Sequence, residues 1–228
     1  MVLGNGLVAN GFKRYEHDDR FLIFASGVSN SANREVAEFV REQELLEYSI
    51  RENQHKTLVY FGTCSVYDPV LNNSPYVIHK LAMEKLIREN HSDYFVFRIS
   101  NLAGNTSNPH TVLNFFVQHI ISGQFFYLWK NASRNIIDME DAFAICDRIL
   151  QKETFKNEII NIANPANYAV TQIVGTIEKL LGKKGNYELI EKGSNPVINT
   201  DAIRPIISEL GIQFDSAYLC RTIEKYFG

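Results

Sequence analysis

The chain has 228 residues, 45% of them hydrophobic and 12% aromatic, enough to bury one substantial core with a small second lobe and no second independent domain. A formal charge of −3, a pI near 6.1 and no basic run longer than Lys183-Lys184 argue against nucleic acid as the main partner. No apolar run reaches the roughly 18 residues of a membrane helix, and the N-terminus opens on a strand pattern rather than a leader, so no membrane partner and a cytoplasmic location are expected. Cys64, Cys146 and Cys220 lack C-x-x-C spacing, which speaks against a disulfide framework and against a structural zinc site.

In chain order, Met1-Val2-Leu3 reads as a short strand running into Gly4-Asn5-Gly6-Leu7-Val8-Ala9. This is the G-x-G-x-x-A spacing whose glycines let backbone approach a pyrophosphate, although a glycine turn without ligand has the same pattern. A short helix from Leu7 to about Tyr15 and a turn at Glu16-His17-Asp18-Asp19 follow. Consecutive ligands on a tight turn seldom converge, so His17, Asp18 and Asp19 read as a solvated loop and no metal is assigned. Phe21 to Gly27 is the next strand and its end, and Asn30, Ser31 and Asn33 are N-cap candidates for a helix from Arg34 to about Asn53.

Thr57-Leu58-Val59-Tyr60-Phe61 is an apolar strand that ends in the hydroxyl cluster Gly62 to Asp68, where Cys64 reads as a half-buried small hydrophobe. On the following helix, Tyr76 to about Asn90, Tyr76 and Lys80 lie one turn apart on the same face. A cation within about 4–6 Å favours phenolate and would bring a tyrosine, normally near 10, toward neutral pH. The bland alternative is a tyrosine packed on an aliphatic lysine stem. Thr63 is placed to hydrogen-bond whatever Tyr76 protonates, and His79 reads as decoration of the helix surface.

Tyr94 to Phe97 is a two-sidedly apolar strand that delivers Asn101, and Asn105 to Pro109 is a loop. Helical spacing marks Val112–Ser122 and Met139–Gln151, then Gln172–Leu181, Ala202–Leu210 and Ala217–Phe227, with Gly123 and Gly182 as C-caps and Thr171, Thr200 and Ser216 as N-caps. Strands alternating with helices predict an α/β fold built on a doubly wound parallel sheet.

The glycine loop, Thr63 at a strand end, and Tyr76 with Lys80 occur here in an order that resembles the extended short-chain dehydrogenase/reductases, the family of nucleotide-sugar epimerases, dehydratases and reductases. Arg98-Ile99-Ser100-Asn101-Leu102-Ala103-Gly104 is similar to the family's R-x-x-N-x-x-G, Arg134 to Asp141 to its R-D-F-I-x-x-D-D segment, and Asn157 to Ala163 to its next strand. The resemblance implies a Rossmann-like core over 1–106 plus 131–163 and a small C-terminal substrate lobe over 107–130 plus 164–228. It also implies NAD or NADP as cofactor, a nucleotide-sugar substrate, and a homodimer formed through the helices at Arg34–Asn53 and Tyr76–Asn90, where Phe39, Leu46, Leu81 and Leu86 are apolar, as burial in the core explains equally well.

Carried over residue by residue, the resemblance makes Tyr76 the acid/base, Lys80 the partner that bonds the nicotinamide ribose and lowers the Tyr76 pKa, and Thr63 a second ligand of the substrate oxygen. Gly4, Asn5, Gly6, Leu7, Val8, Ala9, Ala25, Ser26 and Gly27 would surround the cofactor. Asn101 and Arg134 would contact substrate, with an ion pair from Arg134 to Asp138 or Asp141 as the alternative. Two departures stand out. The family's second and third strands are missing between the glycine loop and Phe21, so the acidic or basic residue that reads the adenosine ribose has no counterpart. Cys64 and Ser65 occupy the positions of the dehydratases' acidic pair, which favours an epimerase or reductase. A catalytically weak or inactive relative, binding a nucleotide or sugar as a subunit or sensor, is the alternative reading.

Overall fold

The computed structural model describes residues 1–228. Its first half runs β1 (Val2–Leu3), α1 (Leu7–Gly11), a 3-10 turn at Lys13–Tyr15, β2 (Phe21–Phe24), α2 (Val36–Glu52), β3 (Thr57–Thr63), α3 (Pro75–Asn90) and β4 (Tyr94–Ile99). The remainder runs β5 (Asn101–Ala103), α4 (Val112–Ser122), β6 (Phe125–Trp129), β7 (Ser133–Arg134), β8 (Ile136–Asp138), α5 (Met139–Lys152), β9 (Ile159–Ile162), β10 (Tyr168–Ala169), α6 (Val170–Leu181), β11 (Asn186–Ile190), a 3-10 turn at Asp201–Ile203, α7 (Arg204–Leu210) and α8 (Tyr218–Phe227).

Five strands pair in parallel in the order β1-β2-β3-β4-β9, a Rossmann-like sheet covered by helices on both faces. Two-sided burial explains why β2 is apolar at every position. On one face Ile23, Val59, Phe95 and Phe97 pack against Phe12 and, from α5, Ile145 and Ile149. On the other, Leu22, Phe24, Leu58, Tyr60 and Val96 meet Leu46 and Ile50 of α2 and Met83 and Ile87 of α3. Strand order rises in one direction from β1, which bonds only β2 and forms the sheet edge. The missing strands of the sequence reading leave that edge open.

Helix ends follow local chemistry, partly not where the sequence suggested. Ser74 accepts from the Val77 amide with Pro75 in the first turn of α3, and Thr111 and Asp138 cap α4 and α5. Gly123 (φ +73°) and Gly182 (φ +59°) close α4 and α6 in the left-handed region, as predicted. Asn30 and Asn33, by contrast, accept from the amides of Ala32 and Glu35 in turns before α2, whose N-cap Glu35 makes no side-chain cap bond, and Ser31 caps nothing. Thr171 lies inside α6, Thr200 precedes a 3-10 turn without a side-chain bond, and Asp215 rather than Ser216 receives the Ala217 amide.

A second apolar cluster joins α4, α6, α8 and the inner side of β6 through Leu113, Ile120, Leu128, Ile173, Ile177, Leu219 and Ile223. Ile203 and Ile206, also C-terminal in sequence, pack instead into the cluster around α5. No helix is long and apolar enough to cross a membrane. Because Leu46 is fully enclosed between α2 and the sheet, Leu46→Ala is expected to cost about 2–5 kcal/mol in urea unfolding; a loss well under 1 kcal/mol would show that this face is not rigidly packed.

Candidate active site

A cleft of about 800 Å³ opens where the carboxyl ends of β1, β2, β3 and β4 meet the β7 segment. Parallel strands deliver their following loops to one end, so residues far apart in sequence converge there. Asn5, Gly6, Leu7, Val8, Ala25, Ser26, Gly27, Thr63, Tyr76, Lys80, Asn101 and Arg134 all line it. Gly4 and Ala9 do not. Gly4 has φ +126°, and a Cβ there would stand 2.3 Å from the Ala25 carbonyl oxygen, so glycine lets the first loop lie against the end of β2. Ala9 is buried in α1.

Tyr76 sits in the first turn of α3, 6% exposed. Burial pushes its phenol up to about 12; the adjacent Thr63 hydroxyl opposes the shift and the Glu42 charge adds to it. The lowered tyrosine expected from Lys80 is therefore not what this environment produces. The Lys80 ammonium lies 6.0 Å from the Tyr76 ring centre, and its charge is committed elsewhere, to Glu42 Oε1 at 2.9 Å, with a further bond to the Tyr60 hydroxyl at 3.2 Å.

Glu42 belongs to none of the motifs, yet it stands directly behind the cleft wall at Gly27 and Lys80, 0% exposed. It also accepts from the Tyr60 hydroxyl at 2.7 Å and the Val28 amide at 2.6 Å, with His79 Nε2 at 3.1 Å. These donors and the Lys80 charge outweigh desolvation and hold the carboxyl well below the usual range. His79 is thus not surface decoration: it is 8% exposed and stacks on Phe39 at 4.8 Å. A signal existed, since Phe39, Glu42, Leu46 and Ser49 follow helical spacing and put Glu42 on the inner stripe of α2.

Arg98 is structural, donating from Nε (2.9 Å) and Nη2 (2.6 Å) to buried Glu84, and a Cβ on Gly62 would stand 2.6 Å from Glu84 Oε1. Cys64 is 4% exposed, more buried than expected; its thiol donates to the Arg98 carbonyl, and burial pushes it up to about 12, which removes it as a neutral-pH nucleophile. The Asn101 amide donates to the Asn135 carbonyl at 2.8 Å. Arg134 donates to the Ser133 carbonyl at 2.8 Å and lies 3.9 Å from Asp68, so its charged neighbour is neither Asp138 nor Asp141. Asp138 caps α5 and pairs with Lys225, while Asp141 accepts from the Tyr218 hydroxyl. Asp68, Arg41 and Asn135 also line the cleft; Asp68 and Asn135 fall inside segments the sequence marks, but none of the three is a candidate site residue there.

Among solved structures the chain is similar to a dTDP-glucose 4,6-dehydratase from Bacillus anthracis in complex with NAD, with 20% identity, TM-score 0.68, and coverage of 97% of this chain and 78% of that one. A UDP-glucose 4-epimerase from Thermus thermophilus, also in complex with NAD, matches at 14% identity and TM-score 0.69 over 97% of this chain and 81% of that one. A double mutant of the dTDP-glucose 4,6-dehydratase from Streptomyces venezuelae with NAD bound matches at 18% identity and TM-score 0.71 over 96% and 77%. At these identities the likeness is one of fold. No curated protein matches by sequence. The family model, however, covers residues 23–163, from β2 through β4 and α5 to the end of β9, and the chain belongs to the NAD dependent epimerase/dehydratase family.

Proposed function

We propose that the protein is an NAD(P)-dependent epimerase or reductase of a nucleotide-activated sugar, with Tyr76 as acid/base, Lys80 as ribose anchor and Thr63 as a second ligand of the reacting oxygen. The observation that carries this reading is the convergence of Thr63, Tyr76 and Lys80 with the Asn5–Val8 loop on one cleft. The loop suits a dinucleotide's pyrophosphate: a Cβ on Gly6 would meet no atom within 4 Å, so its backbone faces open cleft, and the first-turn amides of α1 lack intrahelical partners. Ala25, Ser26 and Gly27 form the adjoining wall.

When bound, the nicotinamide ring supplies the hydride acceptor and donor. The chain's own groups handle the proton. With its phenol near 12, Tyr76 stands protonated at neutral pH and, in the reducing direction, is poised to donate to a substrate carbonyl oxygen as that oxygen gains charge, with Thr63 sharing the oxygen; in the oxidising direction the phenolate left behind would take the substrate hydroxyl's proton. Arg134 and Asn101 are the substrate contacts, Arg134 being suited to a diphosphate. Cys64 and Ser65 offer no carboxylate after Thr63 for an elimination, which favours epimerase or reductase chemistry over dehydration.

One observation favours the second reading, a non-catalytic relative that binds a nucleotide or sugar: β1 is an edge strand, so no neighbouring strand carries a residue to read the adenosine ribose. Calorimetric titration with NAD, NADH, NADP and NADPH separates the two. Saturable binding of one is expected; Tyr76→Phe should then keep that affinity and lose about 100-fold or more in turnover of a nucleotide sugar. A fully active Tyr76→Phe, or no binding by folded protein, refutes the enzyme assignment.

A cytoplasmic setting suits the three free cysteines. For assembly we propose a homodimer through α2 and α3, which expose Val36 and Val40, and Ile78 and Leu81, respectively. Leu46 belongs to the core, one of the two readings its apolar position allows, and Phe39 and Leu86 are half-buried against core clusters. Ile78→Glu is expected to convert dimer to monomer in sedimentation equilibrium; an unchanged dimer would place the interface elsewhere.

A further inference from the structure

Glu42 and Lys80 form a buried pair that the proposed chemistry uses only at one end. Both are nearly inaccessible, at 0% and 3%, yet Lys80 belongs to the cleft wall. Gly27 marks the contact: a Cβ there would stand 2.5 Å from Lys80 Nζ and 2.8 Å from Glu42 Oε1, so the pair lies directly behind the cleft surface. An ammonium has three donors. Two are engaged, by Glu42 and by the Tyr60 hydroxyl, and one remains.

The groups facing the pair come from every packed element. They are Arg41 beside Glu42 on α2, Tyr76, His79 and Glu84 on α3, and Tyr60 on β3, while Glu84 is itself bound by Arg98 of β4. Glu84 is occupied by that guanidinium, so Glu42 is the one carboxylate in direct contact with the Lys80 ammonium. Without it, a fully enclosed lysine would lose its proton, because an isolated charge in such a site is costly.

We propose that Glu42 is a positioning residue for the Tyr76–Lys80 pair: its buried carboxylate keeps Lys80 an ammonium and aims the remaining N–H at the ribose hydroxyls of a bound dinucleotide. The ligand half of this statement rests on the proposed function; the counter-ion half does not. A further consequence is that the pair is neutral, so the cleft does not depend on free positive charge from Lys80 to hold Tyr76.

The test is Glu42→Gln, which keeps the shape and removes the charge, measured by urea unfolding without ligand from about pH 6 to pH 10. In the variant the folded-state pKa of Lys80 lies below its unfolded value near 10.4, so the unfolded chain binds the extra proton and folded stability falls as pH falls. The stability gap to wild type is therefore expected to widen toward about pH 6, by up to tenfold in the unfolding constant per pH unit, and to shrink toward about pH 10. A gap that does not depend on pH overturns the proposal. If Glu42→Gln does not fold at about pH 7, the double variant Glu42→Gln/Lys80→Met, lacking both charges, is expected to fold; a double variant that also fails overturns it.

The ligand half is read by fluorescence titration with NADH and NADPH. Where wild type binds one of them, Glu42→Gln should bind at least about tenfold more weakly at pH 7 and recover toward lower pH as Lys80 regains its proton; wild-type affinity in the variant overturns the positioning role. If wild type binds neither, the proposed function fails by itself, and the unfolding series alone decides the counter-ion.

Discussion

Parallel strands cannot be joined by a tight hairpin; each must return through a crossover, here a helix or a longer excursion, before the next strand begins. That constraint organises the molecule. It puts the ends of β1, β2, β3 and β4 at one edge of the sheet and brings Gly6, Gly27, Thr63 and Asn101 to one cleft although they span most of the first hundred residues. It also demands covering on both faces, met by α1 and α5 on one side and α2 and α3 on the other. The long excursion between β4 and β9 carries Arg134 back over the same edge.

Within that frame the electrostatics are set by burial. Tyr76 and Cys64 in the cleft lining, and Tyr60 behind it, are all pushed toward their neutral forms by desolvation. The buried charges behind the cleft surface are paired: Glu42 with Lys80, Glu84 with Arg98. Each pair leans on a glycine whose missing side chain leaves the space, Gly27 for the first and Gly62 for the second. Such pairs add little net stability over an apolar core, but breaking one by removing a partner leaves an uncompensated charge, which ties these residues to one another.

The absent second and third strands of the resemblance shape what remains. β1 is only two residues long and is an open edge, and the Met1 nitrogen donates to the carbonyls of Tyr15, Asp18 and Phe21. The glycine-loop end of the cleft therefore lies at the open edge of the sheet.

Alternating apolar strands and amphipathic helices settled the α/β class, because two-sided burial and helical spacing leave one-dimensional traces. Tyr76 and Lys80 were legible for the same reason: residues four apart on a helix share a face whatever surrounds it. The glycine turns at Gly123 and Gly182 were legible because a left-handed residue is a local demand. What Lys80 does with its charge was not, since Glu42 lies 38 residues away and reaches it only when α2 packs beside α3. Nor was the fate of His79, Arg134 or Cys64, each defined by a neighbour from another element. Local spacing decides which face a side chain occupies; only tertiary packing decides what stands opposite, and for a buried ionisable group that neighbour sets its protonation and its role.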